Sequence, residues 1–289
     1  MNRLKSLIHV LLGTTVVLVA SGLLSPGPGH DPYSKAVNPT GLDVLFYVSE
    51  SCAEEAAGES PASSDCAKWG SINGIDLTAP FASITTDELL AISLGSMHED
   101  LVRDGLPWFG AVRDDFKRAP RKHQGLDFYG DDLMIRAMAD GTVTVRENRK
   151  NAGYYVIISH GRGVETLYMH LKEAYGGPNR VRRGDVLGLT GISGNAVSPQ
   201  LHLGIRVDGA YIDPVTPLKE TEDSGITKLI AYYESLFETK TAARKHLVSA
   251  YLSRDTEIKR IETGRAIELL RSISYDEQVS AWLKRFTGE

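Results

Sequence analysis

Apolar residues alternate strictly with polar residues or glycine in the stretch Gln200-Leu201-His202-Leu203-Gly204-Ile205-Arg206-Val207. Because side chains of a β-strand point to opposite faces in turn, this pattern predicts a strand with its apolar face toward a core. Gln200 and His202 then lie together on the other face. A buried structural histidine would more naturally sit among the apolar residues, so His202 is a candidate functional residue.

Short β-rich segments separated by glycine turns precede this strand. They cover residues 133–138, 142–146, 154–159, 165–171 and 186–190. Strands this short and this closely spaced are typical of antiparallel sheets. A parallel sheet would need a helical pattern of about 10–15 residues between strands, and none is present. The sequence therefore predicts a mainly β core built from an antiparallel β-sheet.

Two further segments offer groups that could share one groove with His202. In segment 165–171, alternation predicts that Thr166, Tyr168 and His170 share a polar face. In His123-Gln124-Gly125-Leu126-Asp127, an imidazole and a carboxylate stand four residues apart, and both are good zinc ligands. Gly125 and the β-rich sequence after it favour a strand or loop here. Three protein ligands with an open position for water are typical of a catalytic zinc site.

The order of these motifs resembles that of the lysostaphin/LytM-type peptidase domain of the M23 class, over roughly residues 116–218. The matching pieces are His123-x-x-x-Asp127, Ser159-His160-Gly161, Leu167-Tyr168-Met169-His170-Leu171, Val181-Arg182-Arg183-Gly184-Asp185-Val186-Leu187-Gly188, Gly191-x-Ser193-Gly194 and Pro199-x-Leu201-His202-Leu203. The resemblance implies an antiparallel β core that holds one zinc ion. It also implies that His123, Asp127 and His202 are the metal ligands and that His170 is a catalytic residue beside them.

Gln200 departs from the pattern of that family, which usually has His-x-His in the last motif. Glutamine can donate or accept a hydrogen bond, but it cannot take up a proton at neutral pH. Loss of general acid–base assistance typically costs about 10²- to 10⁴-fold in rate. Gln200 could still orient water or a developing oxyanion, so the resemblance implies a complete metal site with reduced or reorganised catalysis.

The activity implied by the resemblance is zinc-dependent cleavage of peptide bonds in bacterial peptidoglycan. The alternative is a LytM-like domain that contains zinc but is weak or inactive, and that binds peptidoglycan or regulates another cell-wall hydrolase. Such relatives usually lose metal ligands, and this chain keeps His123, Asp127 and His202, which favours the enzyme. The net charge of −5 gives no support to nucleic-acid binding.

The C-terminal region, residues 219–289, has the pattern of amphipathic helices. One stripe at helical spacing contains Ile226, Leu229, Ile230, Tyr233, Leu236 and Phe237. A second contains Val279, Trp282, Leu283 and Phe286. The sequence predicts three or four helices here, which makes the chain α+β overall. The apolar stripes either pack on the core or dock a protein partner.

The N-terminal residues 1–24 have the order of a secretory signal. A short basic start with Arg3 and Lys5 is followed by an apolar stretch from Leu7 to Leu24. A cleaved signal peptide and a retained membrane anchor both fit, because the stretch is near the short limit for a spanning helix. The chain is predicted to be exported to the periplasm or secreted, with membrane contact only if this segment is uncleaved.

The remaining segments complete the predicted organisation. Residues 25–80 are interpreted as a linker and a disulfide loop, since an exported chain with only Cys52 and Cys66 would most simply join them. Residues 81–115 are predicted to be an N-terminal helical segment, because Thr85 and Glu88 have the spacing of a capping box. The peptidase-like domain covers residues 116–218, and the helical region covers residues 219–289.

Overall fold

The computed structural model describes residues 35–37, 43–45, 66–98, 100–113, 116, 119–174 and 179–288. The strands of this part of the chain are β1 (Lys35–Val37), β2 (Asp43–Leu45), β3 (Lys68–Ile72), β4 (Ile75–Thr78), β5 (Val112–Arg113), β6 (Arg121–Lys122), β7 (Leu126–Tyr129), β8 (Met134–Arg136), β9 (Gly141–Asn148), β10 (Gly153–Gly161), β11 (Val164–Leu171), β12 (Glu173–Ala174), β13 (Arg180–Val181), β14 (Val186–Leu189), β15 (Gln200–Val207) and β16 (Ala210–Ile212). Its helices are α1 (Thr86–Ile92), α2 (Thr216–Lys219), α3 (Ser224–Leu252), α4 (Thr256–Ser272) and α5 (Glu277–Thr287).

The main sheet has seven strands and confirms the predicted antiparallel core. Its order is β13-β9-β10-β11-β15-β16, and β7 pairs with the first half of β15. Every pair in it is antiparallel. A second sheet has the order β12-β14-β8. Strand β15 is thus flanked by β11 on one edge and by β7 and then β16 on the other, which brings together segments far apart in the sequence.

Strand β15 has the predicted alternation, but both of its faces are buried. Leu201, Leu203 and Ile205 lie in the hydrophobic core. On the opposite face, Gln200 and His202 are also buried, with exposed fractions of 4% and 9%. This second face is therefore covered rather than open to solvent, and it forms the floor of the site described below.

A β-hairpin formed by β3 and β4 lies within the range that the sequence analysis assigns to a linker and disulfide loop. Trp69 and Leu77 from this hairpin belong to the hydrophobic core. Trp69 packs edge-on against Phe128, with ring centroids 6.0 Å apart. The linker prediction is therefore wrong for residues 68–78, because the strands are too short for their alternation to stand out.

Helix α1 begins where the sequence analysis expects it, but the predicted helical segment 81–115 is wrong beyond Ile92, where the described residues are irregular and then form β5. The Thr85 side chain accepts a hydrogen bond from the Glu88 backbone, and the Glu88 carboxylate accepts one from the Thr85 N–H. This is a capping box, which satisfies two backbone donors that the start of a helix otherwise leaves unpaired. Leu89 and Leu90 bury the inner face of the helix in the core.

The C-terminal helices confirm the predicted helical region. Asp223, Asp255 and Asp276 cap α3, α4 and α5 by accepting backbone N–H groups of the first turn, a contribution of typically about 1 kcal/mol each. Residues of both predicted stripes, among them Ile230, Leu236, Val279 and Trp282, lie in the same core as the sheet. The stripes therefore pack on the protein itself, and a partner docked through these helices stays a prediction.

Helix α3 fixes the irregular segment 93–111, which runs between the helices and the sheet. Phe237 stacks on Trp108 with centroids 4.9 Å apart and an interplanar angle of 18°. Arg244 donates to the carbonyls of Leu101, Val102 and Val112 over 2.8–3.3 Å. Backbone carbonyls outside regular structure need partners when they are buried. Helix α3 supplies these partners through Arg244, and this fixes the backbone of the segment beside the sheet.

Two predictions concern residues outside the described part of the chain. The signal peptide or anchor, residues 1–24, is one of them. The bond between Cys52 and Cys66 is the other, since Cys52 is not described. In the parts that the structure does describe, no helix combines the length and the hydrophobicity needed to cross a membrane.

Candidate metal centre

Three side chains converge where β7 meets β15. Asp127 on β7 is directly opposite His202 on β15 in the antiparallel register. His123 lies just before β7, where its backbone pairs with Gly110 and Ala111. Cross-strand partners share a face of the sheet, so Asp127 and His202 face the same side, and the turn through Gly125 adds the imidazole of His123.

The geometry of the three groups fits one metal ion. His202 Nδ1 lies 2.8 Å from Asp127 Oδ1 and 2.9 Å from His123 Nε2, and the latter is 3.2 Å from Asp127 Oδ1. All three residues are buried. Two imidazole nitrogens and one carboxylate oxygen form a donor set that zinc prefers, and one coordination position stays free of protein ligands. The predicted ligands His123, Asp127 and His202 are therefore brought together at one candidate metal site.

The tautomer of His123 suits metal binding. Its Nδ1 lies 2.8 Å from the carbonyl oxygen of Trp108, to which it donates, so Nε2 keeps its lone pair. Burial, aided by the Arg113 charge, lowers the pKa of His123 to about 4. The ring is therefore neutral at neutral pH, as a metal ligand must be.

Asp127 is held by bonds to both its backbone and its side chain. Its backbone N–H donates to the Pro107 carbonyl, and its own carbonyl accepts from the Ser93 hydroxyl. Its Oδ2 accepts a 2.7 Å hydrogen bond from Arg113 Nη2. Burial alone would raise the pKa of this carboxyl, but the facing His123 and Arg113 hold the pKa of Asp127 well below its usual value. Asp127 is thus ionised as well as oriented.

Gly125 makes room for the ligand rings. A Cβ at this position would lie 2.5 Å from His202 Nε2 and 2.5 Å from the Leu203 carbonyl oxygen. The carbonyl belongs to the pairing of β7 with β15 and cannot retreat without opening that pair. The glycine between His123 and Asp127 is therefore required by close packing against the third ligand.

Gly125→Ala is expected to weaken zinc binding by about 10- to 100-fold, the range typical for disturbing the immediate support of a metal ligand. The measurement is competition for zinc against a chromophoric chelator. Gly264→Ala is the matched control, because a Cβ there meets nothing within 4 Å. Equal zinc affinities for the two variants would show that the site tolerates the extra methyl group.

His170 reaches the site by a route that the sequence analysis did not predict. Tyr168 and Leu171 both lie in the core although they are three residues apart, which a regular strand does not allow. The register between β10 and β11 shifts at this point, and His170 has a φ of 66°. This is a β-bulge, a feature common beside active sites. Thr166 and Tyr168 are thus fully buried core residues, and the predicted shared face with His170 is wrong.

Ser193 braces the bulge. Its hydroxyl donates to the Leu171 carbonyl and accepts from the Tyr154 N–H, and its own carbonyl accepts from His170 Nδ1 at 2.9 Å. The His170 ring lies 5.9 Å from the ring of His202, between centroids. Burial, followed by the effect of His202, lowers the pKa of His170 to about 4. With Nδ1 bonded to Ser193, the neutral ring has Nε2 available as a hydrogen-bond acceptor.

Gln200 lies two residues before His202 on the same face of β15, as predicted. Its backbone N–H donates to the Gly191 carbonyl, and Tyr129 stands opposite it on β7. The side chain is buried, and Oε1 has no hydrogen-bond partner among the described residues. Because an unpaired buried amide oxygen is costly, this group is one that an incoming N–H or O–H donor would satisfy.

Sequence reasoning named the three side chains that converge here but missed the residues that hold them. Ser193 lies in a quoted motif, Gly191-x-Ser193-Gly194, and could have been found from it. Nothing in the sequence distinguishes Arg113 from the rest of the 32 lysines and arginines. Trp108 acts through its backbone carbonyl, which no sequence pattern identifies. His160, also in a quoted motif, bonds Asp140 and Thr166 and is a structural residue of the sheet.

Comparison with known proteins finds similarity over the segment that carries this site. Residues 121–214 match the model of peptidase family M23. DD-carboxypeptidase/endopeptidase Mpg of Neisseria meningitidis serogroup B is 37% identical over 97 residues, which are 33% of this chain and 23% of that protein. Peptidoglycan DD-endopeptidase ShyA of Vibrio cholerae is 35% identical over 99 residues, 34% of this chain and 22% of ShyA.

A further relative is described as an activator of a hydrolase and not as a peptidase. Murein hydrolase activator EnvC of Escherichia coli is 32% identical over 81 residues, which are 28% of this chain and 19% of EnvC. The chain thus spans less than a quarter of the length of each of these three relatives.

Proposed function

We propose, from the membership of residues 121–214 in peptidase family M23, that this chain is a zinc-dependent endopeptidase that hydrolyses peptide bonds of bacterial peptidoglycan. The observation that carries the proposal is the convergence of His123 Nε2, Asp127 Oδ1 and His202 Nδ1, with His170 beside them. The N-terminal sequence supports export, which would bring the enzyme to this substrate.

The protein's own groups have separate roles in the proposed reaction. His123, Asp127 and His202 would hold zinc, which when bound supplies a Lewis acid for the scissile carbonyl and an acidified water. His170, neutral and with Nδ1 bonded to Ser193, would accept a hydrogen bond or a proton from the attacking water through Nε2. Gln200 cannot take the proton, but its buried Oε1, which has no partner among the described residues, can accept a hydrogen bond from the water or from a substrate N–H.

The direct test is digestion of isolated peptidoglycan by purified residues 25–289. Soluble fragments are separated by chromatography after incubation with the protein, with and without a zinc chelator. We expect fragments that disappear with the chelator and return when zinc is added. A protein that binds zinc but releases no fragments would contradict the endopeptidase function on this substrate.

A second candidate function follows from Gln200 and from the similarity to EnvC. A domain that binds peptidoglycan or regulates another hydrolase does not need a group that takes up the proton. The three candidate ligands converge, however, and a non-hydrolytic domain has no need to hold all of them in position. We therefore place the enzyme first.

Gln200→His separates the two candidates. The new imidazole would stand on the same face of β15 as His202, so we expect cleavage to stay equal or to rise by up to about 10²- to 10⁴-fold, the usual contribution of acid–base assistance. Initial rates of peptidoglycan cleavage at equal zinc occupancy measure the effect. An inactive wild type that becomes active only with this substitution would favour the regulatory function, with Gln200 as the lesion.

A further inference from the structure

We propose that Arg113 is a positioning residue, which holds Asp127 so that only one carboxylate oxygen can reach the metal. The inference rests on the zinc site proposed above. It assigns a role in this site to the two-residue strand β5, which lies outside the segment matched by the family.

The two oxygens of Asp127 have different surroundings. Oδ1 faces His202 Nδ1 at 2.8 Å and His123 Nε2 at 3.2 Å. Oδ2 accepts a hydrogen bond from Arg113 Nη2 at 2.7 Å. A bond of this length between a guanidinium and a carboxylate is among the strong ones. The arginine therefore occupies the oxygen that would otherwise be free to turn toward the metal.

Arg113 is itself fixed in place. Nη2 also donates to the Leu106 carbonyl at 2.8 Å, and only 11% of the side chain is exposed. A Cβ at Gly105 would lie 3.1 Å from Arg113 Nη1, so the backbone closes over the guanidinium. Arg244 donates to the carbonyl of the preceding residue, Val112. The guanidinium is thus held from two sides. In this it differs from an exposed ion pair at the surface, which contributes little to stability.

One polar atom of the Arg113 side chain lacks a hydrogen bond to any described residue. Arg113 Nε is buried and has no hydrogen-bond partner among the described residues. An unpaired buried donor lowers stability, and a side chain selected only for stability would avoid it. The contact with Asp127 accounts for a buried cation here, because Nη2 donates both to Oδ2 and to the Leu106 carbonyl.

Binding of the metal by a single oxygen of Asp127 matters for catalysis, because the protein then supplies only three donor atoms. A fourth donor, Asp127 Oδ2, would take the position that a catalytic site keeps for water. Without Arg113, Oδ2 is released and can rotate toward the metal. The protein would still bind the ion, but with a changed coordination number and with less cleavage.

The test uses the full chain loaded with Co²⁺, whose visible absorption bands are intense in four-coordinate sites and weak when a fifth ligand binds. In Arg113→Met we expect the bands to weaken severalfold at saturating cobalt, and zinc affinity to fall by about 10- to 100-fold. Arg113→Lys keeps a cationic donor and should recover most of the band intensity. Arg136→Met, which removes another buried arginine, is the control and should keep the wild-type spectrum.

Three outcomes decide the matter. Bands of wild-type intensity in Arg113→Met would overturn the proposal, whatever happens to its stability. If that variant does not fold, Arg113→Gln replaces it with the same expectation, since its amide carries no charge. A wild type that takes up no cobalt would instead refute the metal site, and with it both the proposed function and this inference.

Discussion

His202→Ala is expected to lose its metal. The variant removes one of three ligand atoms, leaving only His123 Nε2 and Asp127 Oδ1. Removing merely the partner of a ligand typically costs about 10- to 100-fold in metal affinity, so loss of the ligand itself should exceed that range. Metal analysis of the purified variant should find little zinc, and cleavage of peptidoglycan should fall to the level of the chelated wild type.

The matched control for this experiment is His160→Ala. His160 lies in the same sheet and forms hydrogen bonds with Asp140 and Thr166. It forms none with His123, Asp127 or His202, all of which the structure describes. It should retain full zinc occupancy while losing some stability. Full occupancy in His202→Ala would mean that the ligand set is wrong, and equal loss in both variants would point to general unfolding.

His170→Ala is expected to separate metal binding from catalysis. The ring contributes none of the three converging ligand atoms, so zinc occupancy should stay at the wild-type level. Cleavage should fall by about 10²- to 10⁴-fold, because the variant removes the group that the proposed function assigns to proton transfer in the transition state. The effect should be seen in kcat more than in KM, since such a contact forms only as the reaction proceeds.

The control for His170→Ala addresses the bulge that carries this residue. His170 has a φ of 66°, a conformation that a residue with a Cβ adopts at some cost. His170→Asn keeps a polar side chain at a position that asparagine tolerates, but it removes the imidazole. The two variants should lose the same fraction of activity. A nearly active His170→Asn would mean that hydrogen bonding is sufficient and that proton transfer is not required.

Most of the candidate site could be predicted because its three converging side chains follow local sequence patterns. His202 stands on a strand whose alternation is unbroken, and Asp127 is only four residues from His123. In the folded chain, the register of β7 with β15 places Asp127 opposite His202, and all three side chains are buried together. The antiparallel core and the C-terminal helices were predictable for the same reason, because period-two and helical patterns each extend over whole elements.

The parts that were not predictable depend on contacts distant in sequence. The bulge at His170 breaks the alternation without a glycine at that residue, and its support comes from Ser193, 23 residues away. Arg113 reaches Asp127 from a strand of only two residues. The hairpin at residues 68–78 pairs two short strands whose side chains become core only when Phe128 packs against Trp69.

The stacking of Phe237 on Trp108 links the tail of the chain to the orientation of a candidate metal ligand. The same residue, Trp108, supplies the carbonyl that receives the Nδ1 proton of His123. A gene fragment that stops at residue 218 would lack both Phe237, which stacks on Trp108, and Arg244, which bonds the carbonyls of Leu101 and Val102. The side chains that brace the candidate metal site therefore extend beyond residues 121–214, the segment matched by the family model.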